Sequence, residues 1–163
     1  PTFIDDAQGT VSVWAKVSDF DKQYLFWGAS VNGALDDELF LGIRGDQAGN
    51  NVEVLHLLNN AYTIIADAPN NAVADTNWHH YVLTSDGSIL KLYIDGKLQL
   101  LSIVSGSNTG QWFAGATQAN TFVISGVKRA SIVVPWKGNL DDVRVYSRAL
   151  SLSEIKQLYQ MGR

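Results

Sequence analysis

Two carboxylates held roughly 5 to 9 Å apart across a glycosidic bond make a hydrolase. The chain has three glutamates, Glu38, Glu53 and Glu154. Glu154 falls three residues after Ser151, the spacing of a helix capping box, which gives it a structural reason to be there. Asp36, Asp37 and Glu38 form an acidic cluster. Neighbouring residues of a strand point to opposite faces, so this cluster reads as a solvated loop and not as an acid/base pair. Nucleophilic chemistry is no better provided. There is no cysteine and no Gly-x-Ser-x-Gly elbow, and the histidines are His56, His79 and His80. Adjacent His79 and His80 alternate across a strand and cannot readily share one metal. A lone, surface-available His56 does not make a zinc site.

Binding chemistry has more to work with. A sugar presents an apolar C–H face and polar hydroxyl edges. Its site therefore pairs an exposed aromatic ring with Asp, Asn, Gln or Arg side chains. Trp112 stands beside Gln111 in a loop rich in Gly, Ser and Thr, and is the first platform candidate. Tyr62, close to Asn59-Asn60, is the second. Asp46, Gln47, Asn50 and Asn51 are the nearby polar candidates, although such residues fill turns in any β protein. Asp141 shares strand parity with Val143 and Val145, which should face the core. A carboxylate there needs a partner. Calcium, which accepts backbone carbonyls among its ligands, is one such partner; backbone N–H groups or an arginine are others.

The elements that must hold these residues are strands. Period-two alternation runs through Val11–Val17, Ile89–Ile94 and Asp142–Tyr146. Asp86-Gly87 and Asp95-Gly96 supply the positive φ that tight hairpins need. They predict a three-stranded meander of His79–Ser85, Ser88–Ile94 and Lys97–Val104. Asn59-Asn60 predicts a turn from Asn51–Leu58 into Tyr62–Asp67. Stretches 45–51, 69–77 and 105–120 read as loops. Ser151 and Glu154, followed by Ile155, Leu158 and Tyr159, predict one short C-terminal helix.

The whole is an all-β, two-sheet antiparallel sandwich, a jelly roll. Its 163 residues suit a single domain. The net charge of -4 and scattered Lys and Arg argue against nucleic acid as partner. No apolar run approaches the roughly 18 residues of a membrane-spanning helix, so membrane insertion is not expected. The chain begins at Pro1 and is read as a domain cut from a longer protein.

Three segments go further than a generic sandwich. They are Val11–Val17 (VSVWAKV), Asn77–Lys97 (NWHHYVLTSDGSILKLYIDGK) and Lys137–Tyr159 (KGNLDDVRVYSRALSLSEIKQLY). In order and spacing they resemble the laminin-G-like jelly-roll family of the concanavalin A-like lectin/glucanase superfamily. The resemblance implies one concave and one convex sheet, an extracellular or cell-surface setting, and carbohydrate binding or adhesion. The partner is then a glycan, or alternatively a protein ligand of laminin G or pentraxin type. It also implies a structural calcium at Asp141 with an early glycine such as Gly28, to which Asp5 or Asp6 could contribute, and packed aromatics at Trp14, Trp78 and Trp136. The glucanases of the superfamily carry Glu-x-Asp-x-x-Glu, which this chain lacks. The expectation is a non-catalytic binding module, with a divergent glycosidase as the remote alternative. A first strand at Thr2–Ile4 would be short or truncated.

Overall fold

A computed structural model describes residues 6–31, 37–45, 51–115 and 119–162. In chain order the strands begin with β1 (Gly9–Val17), β2 (Gln23–Ser30), β3 (Glu38–Arg44), β4 (Asn51–Leu58) and β5 (Ala61–Asp67). They continue with β6 (His79–Ser85), β7 (Leu90–Ile94), β8 (Lys97–Gln99), β9 (Ser102–Gly106) and β10 (Thr121–Ile124). The short hairpin β11 (Val127–Lys128) and β12 (Ile132–Val133), the long β13 (Gly138–Tyr146) and the helix α1 (Leu152–Met161) complete them.

The strands form a five-stranded antiparallel sheet, β13-β1-β6-β7-β8, and a six-stranded one, β10-β2-β3-β4-β5-β9. The core lies between them. Val11, Val13 and Ala15 of β1 and Tyr81 and Leu83 of β6 meet Leu39, Leu41 and Ile43 of β3 and Val52 and Val54 of β4. Each fully buried aliphatic side chain contributes about 1.5–3 kcal/mol, so this layer dominates stability. Phe26 bridges the sheets, 4.3 Å from Tyr81 and 4.5 Å from Trp136 between ring centroids.

Local signals set several of these elements. Asn59 and Asn60 adopt φ of 49° and 61°, and Asp95 and Gly96 adopt 53° and 71°, the paired left-handed geometry of a type I′ turn. Ser151 and Glu154 close the capping box, and α1 buries Ile155 and Leu158. The meander departs from expectation at two points. At Asp86-Gly87 only the glycine has positive φ. The Asp86 carboxylate instead accepts the Ser88 and Ile89 N–H groups at 2.9 and 3.1 Å, closing a wider loop. The third strand also splits. β8 stays with β7, then β9 pairs with β5 in the other sheet. The expected first strand at Thr2–Ile4 lies outside the described residues.

Both outer faces are partly covered. On the five-stranded sheet, α1 packs Ile155 and Leu158 onto Val82 and Tyr93. On the six-stranded sheet, the β11–β12 hairpin lays Val127, with Val133 and Val134, onto Leu25, Phe40 and Leu55. Gly28 permits that approach: a Cβ there would sit 2.8 Å from the Val127 Cβ.

Candidate functional site

Strand alternation puts Glu38, Phe40 and Arg44 of β3 beside Glu53, Leu55 and Leu57 of β4 on the outer face of the six-stranded sheet. Tyr62 joins them through a bulge. His56 pairs with Ile64 and Leu57 with Tyr62, so Thr63 is an extra residue in β5. Ile64 faces the core. Without the bulge, period two would send Tyr62 inward as well. With it, Tyr62 stands opposite outward Leu57, 54 % exposed.

Charges around Tyr62 are paired in place. Arg129 donates from Nε and Nη2 to the two oxygens of fully buried Glu38, at 2.7 and 3.0 Å. Glu38 beside it raises the Arg129 pKa further. Arg44 meets Glu53 at 3.2 Å, and Gln23 Nε2 donates to Glu53 Oε1 at 3.1 Å. The resulting groove is small, about 130 Å³. It offers an aromatic ring flanked by guanidinium and carboxylate groups already fixed by one another. Glu53 sits opposite Gly42, four residues along β3 from Glu38. That places the two carboxylates ~13 Å apart along the strand direction, beyond the reach of a glycosidase pair.

A second, larger groove of about 510 Å³ lies on the outer face of the five-stranded sheet, lined by Trp14, Trp78, Asp141, Asp142, Arg144 and Gly162. Another bulge shapes it. Ser12 pairs with Arg144 and Trp14 with Asp141, leaving one extra residue in β13. Asp142 takes a left-handed φ of 48° there. Leu140, Val143 and Val145 therefore pack on the core, while Asp141 turns outward beside Trp14. Asp141 is exposed, which corrects the core-facing placement expected from simple alternation.

The calcium set fares accordingly. Asp141 is on the outside of one sheet. Gly28 is on the outside of the other, beneath Val127. Two layers ~10 Å apart separate them, so they do not fit one ion. Asp5 lies outside the described residues. Among the described residues no group of three His, Cys, Asp or Glu side chains converges on a metal position.

The tryptophans exchange their expected roles. Trp112 is 1 % exposed and packs 4.8 Å from Phe113, so it is not a platform. Its loop folds back onto the sandwich. Asn108 bonds the Leu90 N–H and C=O at 2.8 and 3.0 Å, and Gly110 N–H donates to Ser88 O at 2.7 Å. Gln111 turns its amide onto Ser107 O and Thr109 O of the same loop. Trp14 and Trp136 are packed as expected, but Trp78 is 42 % exposed. Asp46 and Asn50, with Gln47, lie outside the described residues; Asn51 reaches Asp67 at 3.3 Å.

The histidines are structural. His56 is 1 % exposed, not surface-available, and meets Thr63 Oγ1. His80 holds Ser12 Oγ through Nε2 at 2.7 Å and stacks on Trp14 at 5.2 Å. Burial lowers its pKa to about 4. His79 meets Asp95 at 2.8 Å and Asp75 at 3.1 Å; the Asp95 hydrogen bond foremost raises its pKa.

Solved structures of similar shape are numerous. A CBM40 module of the Ruminococcus gnavus IT-sialidase, bound to α2,3-sialyllactose, superposes with a TM-score of 0.79 at 20 % identity, covering 97 % of this chain and 85 % of that one. Domain 4 of AbnA, a GH43 extracellular arabinanase from Geobacillus stearothermophilus in complex with arabinotriose, gives 0.65 at 20 % identity, covering 96 % and 68 %. A SAP-like pentraxin from Limulus polyphemus gives 0.62 at 18 %, covering 94 % and 70 %. No curated protein matches the sequence significantly. The family model of the concanavalin A-like lectin/glucanases superfamily matches residues 2–156, and with the two-sheet architecture in place the chain belongs to that superfamily.

Proposed function

We propose that the chain is a non-catalytic carbohydrate-binding module whose glycan stacks on Tyr62, on the outer face of the six-stranded sheet. The observation that carries this reading is an aromatic ring left 54 % exposed beside Arg129, which is doubly hydrogen-bonded to buried Glu38. The ring offers the apolar surface a sugar C–H face needs. The pair holds rigid donors and acceptors at its edge, and Arg44–Glu53 extends them. The carboxylates serve as partners of arginines at a separation that suits no hydrolytic pair. Similar structures that hold sialyllactose and arabinotriose support the glycan class. An extracellular role, as a module of an exported protein, fits the arabinanase relative.

The test is titration of the intact chain with 3′-sialyllactose and with arabinotriose. Tyr62→Ala should weaken binding about tenfold, the scale of one lost aromatic contact, with the melting temperature nearly unchanged. Undiminished affinity in that variant would remove Tyr62 from the site.

A protein ligand is the second reading. It draws on Leu98, Leu100 and Val104, which are 52, 79 and 62 % exposed at and beside the edge strands β8 and β9. Capture of a protein by the wild type and not by Leu100→Lys, with no glycan bound, would favour it.

A further inference from the structure

Trp78 is a large aromatic exposed from a fixed frame. Asp75 Oδ1 accepts the Asn77 N–H at 2.7 Å and meets His79 Nε2 at 3.1 Å. Asp95 holds the other side, meeting His79 Nδ1 at 2.8 Å and accepting the His80 N–H at 3.0 Å. The backbone flanking Trp78 is therefore pinned at both ends, and little ordering entropy remains to be lost when a ligand stacks on the indole. Trp14, 7 % exposed, lines the same groove, and its Nε1–H has no acceptor.

The polar wall has an uneven charge. Arg144 is neutralised by Asp142 through hydrogen bonds of 2.8 and 2.9 Å. Asp141 gives one oxygen to the Asp142 N–H at 2.7 Å and has no cationic partner among the described residues. Two carboxylates thus face one guanidinium.

We infer that the groove formed by Trp78, Trp14, Asp141, Asp142 and Arg144 is a second carbohydrate site, taking one ring of a neutral glycan on the face opposite Tyr62. The sugar's C–H face lies on Trp78. Its hydroxyls donate to the Asp141 and Asp142 carboxylates, and its oxygens accept from Arg144. The volume of about 510 Å³ falls within the range of small-ligand sites. The excess negative charge disfavours a glycan carrying its own carboxylate. The choice of a glycan rests on the carbohydrate reading above; the groove itself does not depend on Tyr62.

Indole N–H resonances of the intact chain, with Trp78 assigned by Trp78→Phe, test this as lactose, arabinotriose, 3′-sialyllactose or choline is added. Lactose or arabinotriose should move the Trp78 signal in the wild type and equally in Tyr62→Ala. Asp141→Asn, an exposed substitution that should leave the melting temperature unchanged, should lower the affinity read at Trp78 about tenfold. A Trp78 signal that ignores both neutral sugars, responds to choline alone, or titrates identically in Asp141→Asn overturns the second site. Failure of the Tyr62 site shows separately, as an affinity for 3′-sialyllactose, which the Trp78 groove disfavours, that Tyr62→Ala leaves unaltered.

Discussion

The two outer faces solve the same problem in opposite ways. On the six-stranded sheet the groove is narrow, and its charges are satisfied by one another before any ligand arrives: Arg129 with Glu38, Arg44 with Glu53. On the five-stranded sheet the groove is open, and Asp141 is left without a cationic partner among the described residues. The first face is preorganised by ion pairing, the second by the pinned backbone around Trp78. In both, one inserted residue decides what faces out. Thr63 brings Tyr62 to the surface, and the bulge at Asp142 brings Asp141. A bulge can therefore create a site from residues whose parity would have buried them.

That contrast can be broken experimentally. The largest effect is expected away from both faces. Trp112→Ala should destabilise the protein by about 4 kcal/mol, the usual cost of truncating a buried aromatic, read by urea denaturation. Glycan affinity per folded molecule should stay unchanged. Lost affinity at equal folded fraction would return Trp112 to the binding surface.

Arg129→Ala should cost less, about 2–3 kcal/mol, because it strands the Glu38 carboxylate with no exposure of its own while Arg129 itself is one-third exposed. The same substitution should also weaken binding at Tyr62 and leave the Trp78 indole signal in place. Loss of both would show that the faces are coupled, not independent.

The last effect concerns pH, and two adjacent histidines pull it in opposite directions. Burial holds the His80 pKa at about 4, below its ordinary 6.5. The unfolded chain then takes up a proton that the folded one refuses, so stability falls as pH drops from about 6.5 towards 4. His79 is shifted upward by Asp95 and Asp75. Its contribution is complete below 6.5 and is lost as pH rises through the folded value. In denaturation curves followed across acidic and neutral pH, His80→Asn should flatten the acid limb and His79→Asn the other. Identical limbs in both variants would refute the assignment.

Much of the architecture was legible locally. Asn59-Asn60 and Asp95-Gly96 announce turns whose φ values few other residues tolerate. Ser151 and Glu154 announce a helix start, and alternation from Val11 to Val17 announces a strand with two distinct faces. Tyr62 was visible as a candidate because it sits beside such a turn. The site's other members were not. Arg129 and Glu38 are 91 residues apart, and no local pattern says that they meet.

Chain chemistry alone therefore determined the strand-rich sandwich and the capped helix. Those follow from side-chain periodicity and backbone preference within a few residues. Tertiary structure decided which aromatic is a platform. Trp112 is drawn into the core by Phe113 and the folded-back loop, while Trp78 is held out between Asp75 and Asp95. It also decided where Asp141 points, because a bulge is a property of two paired strands and register between strands is written in neither one.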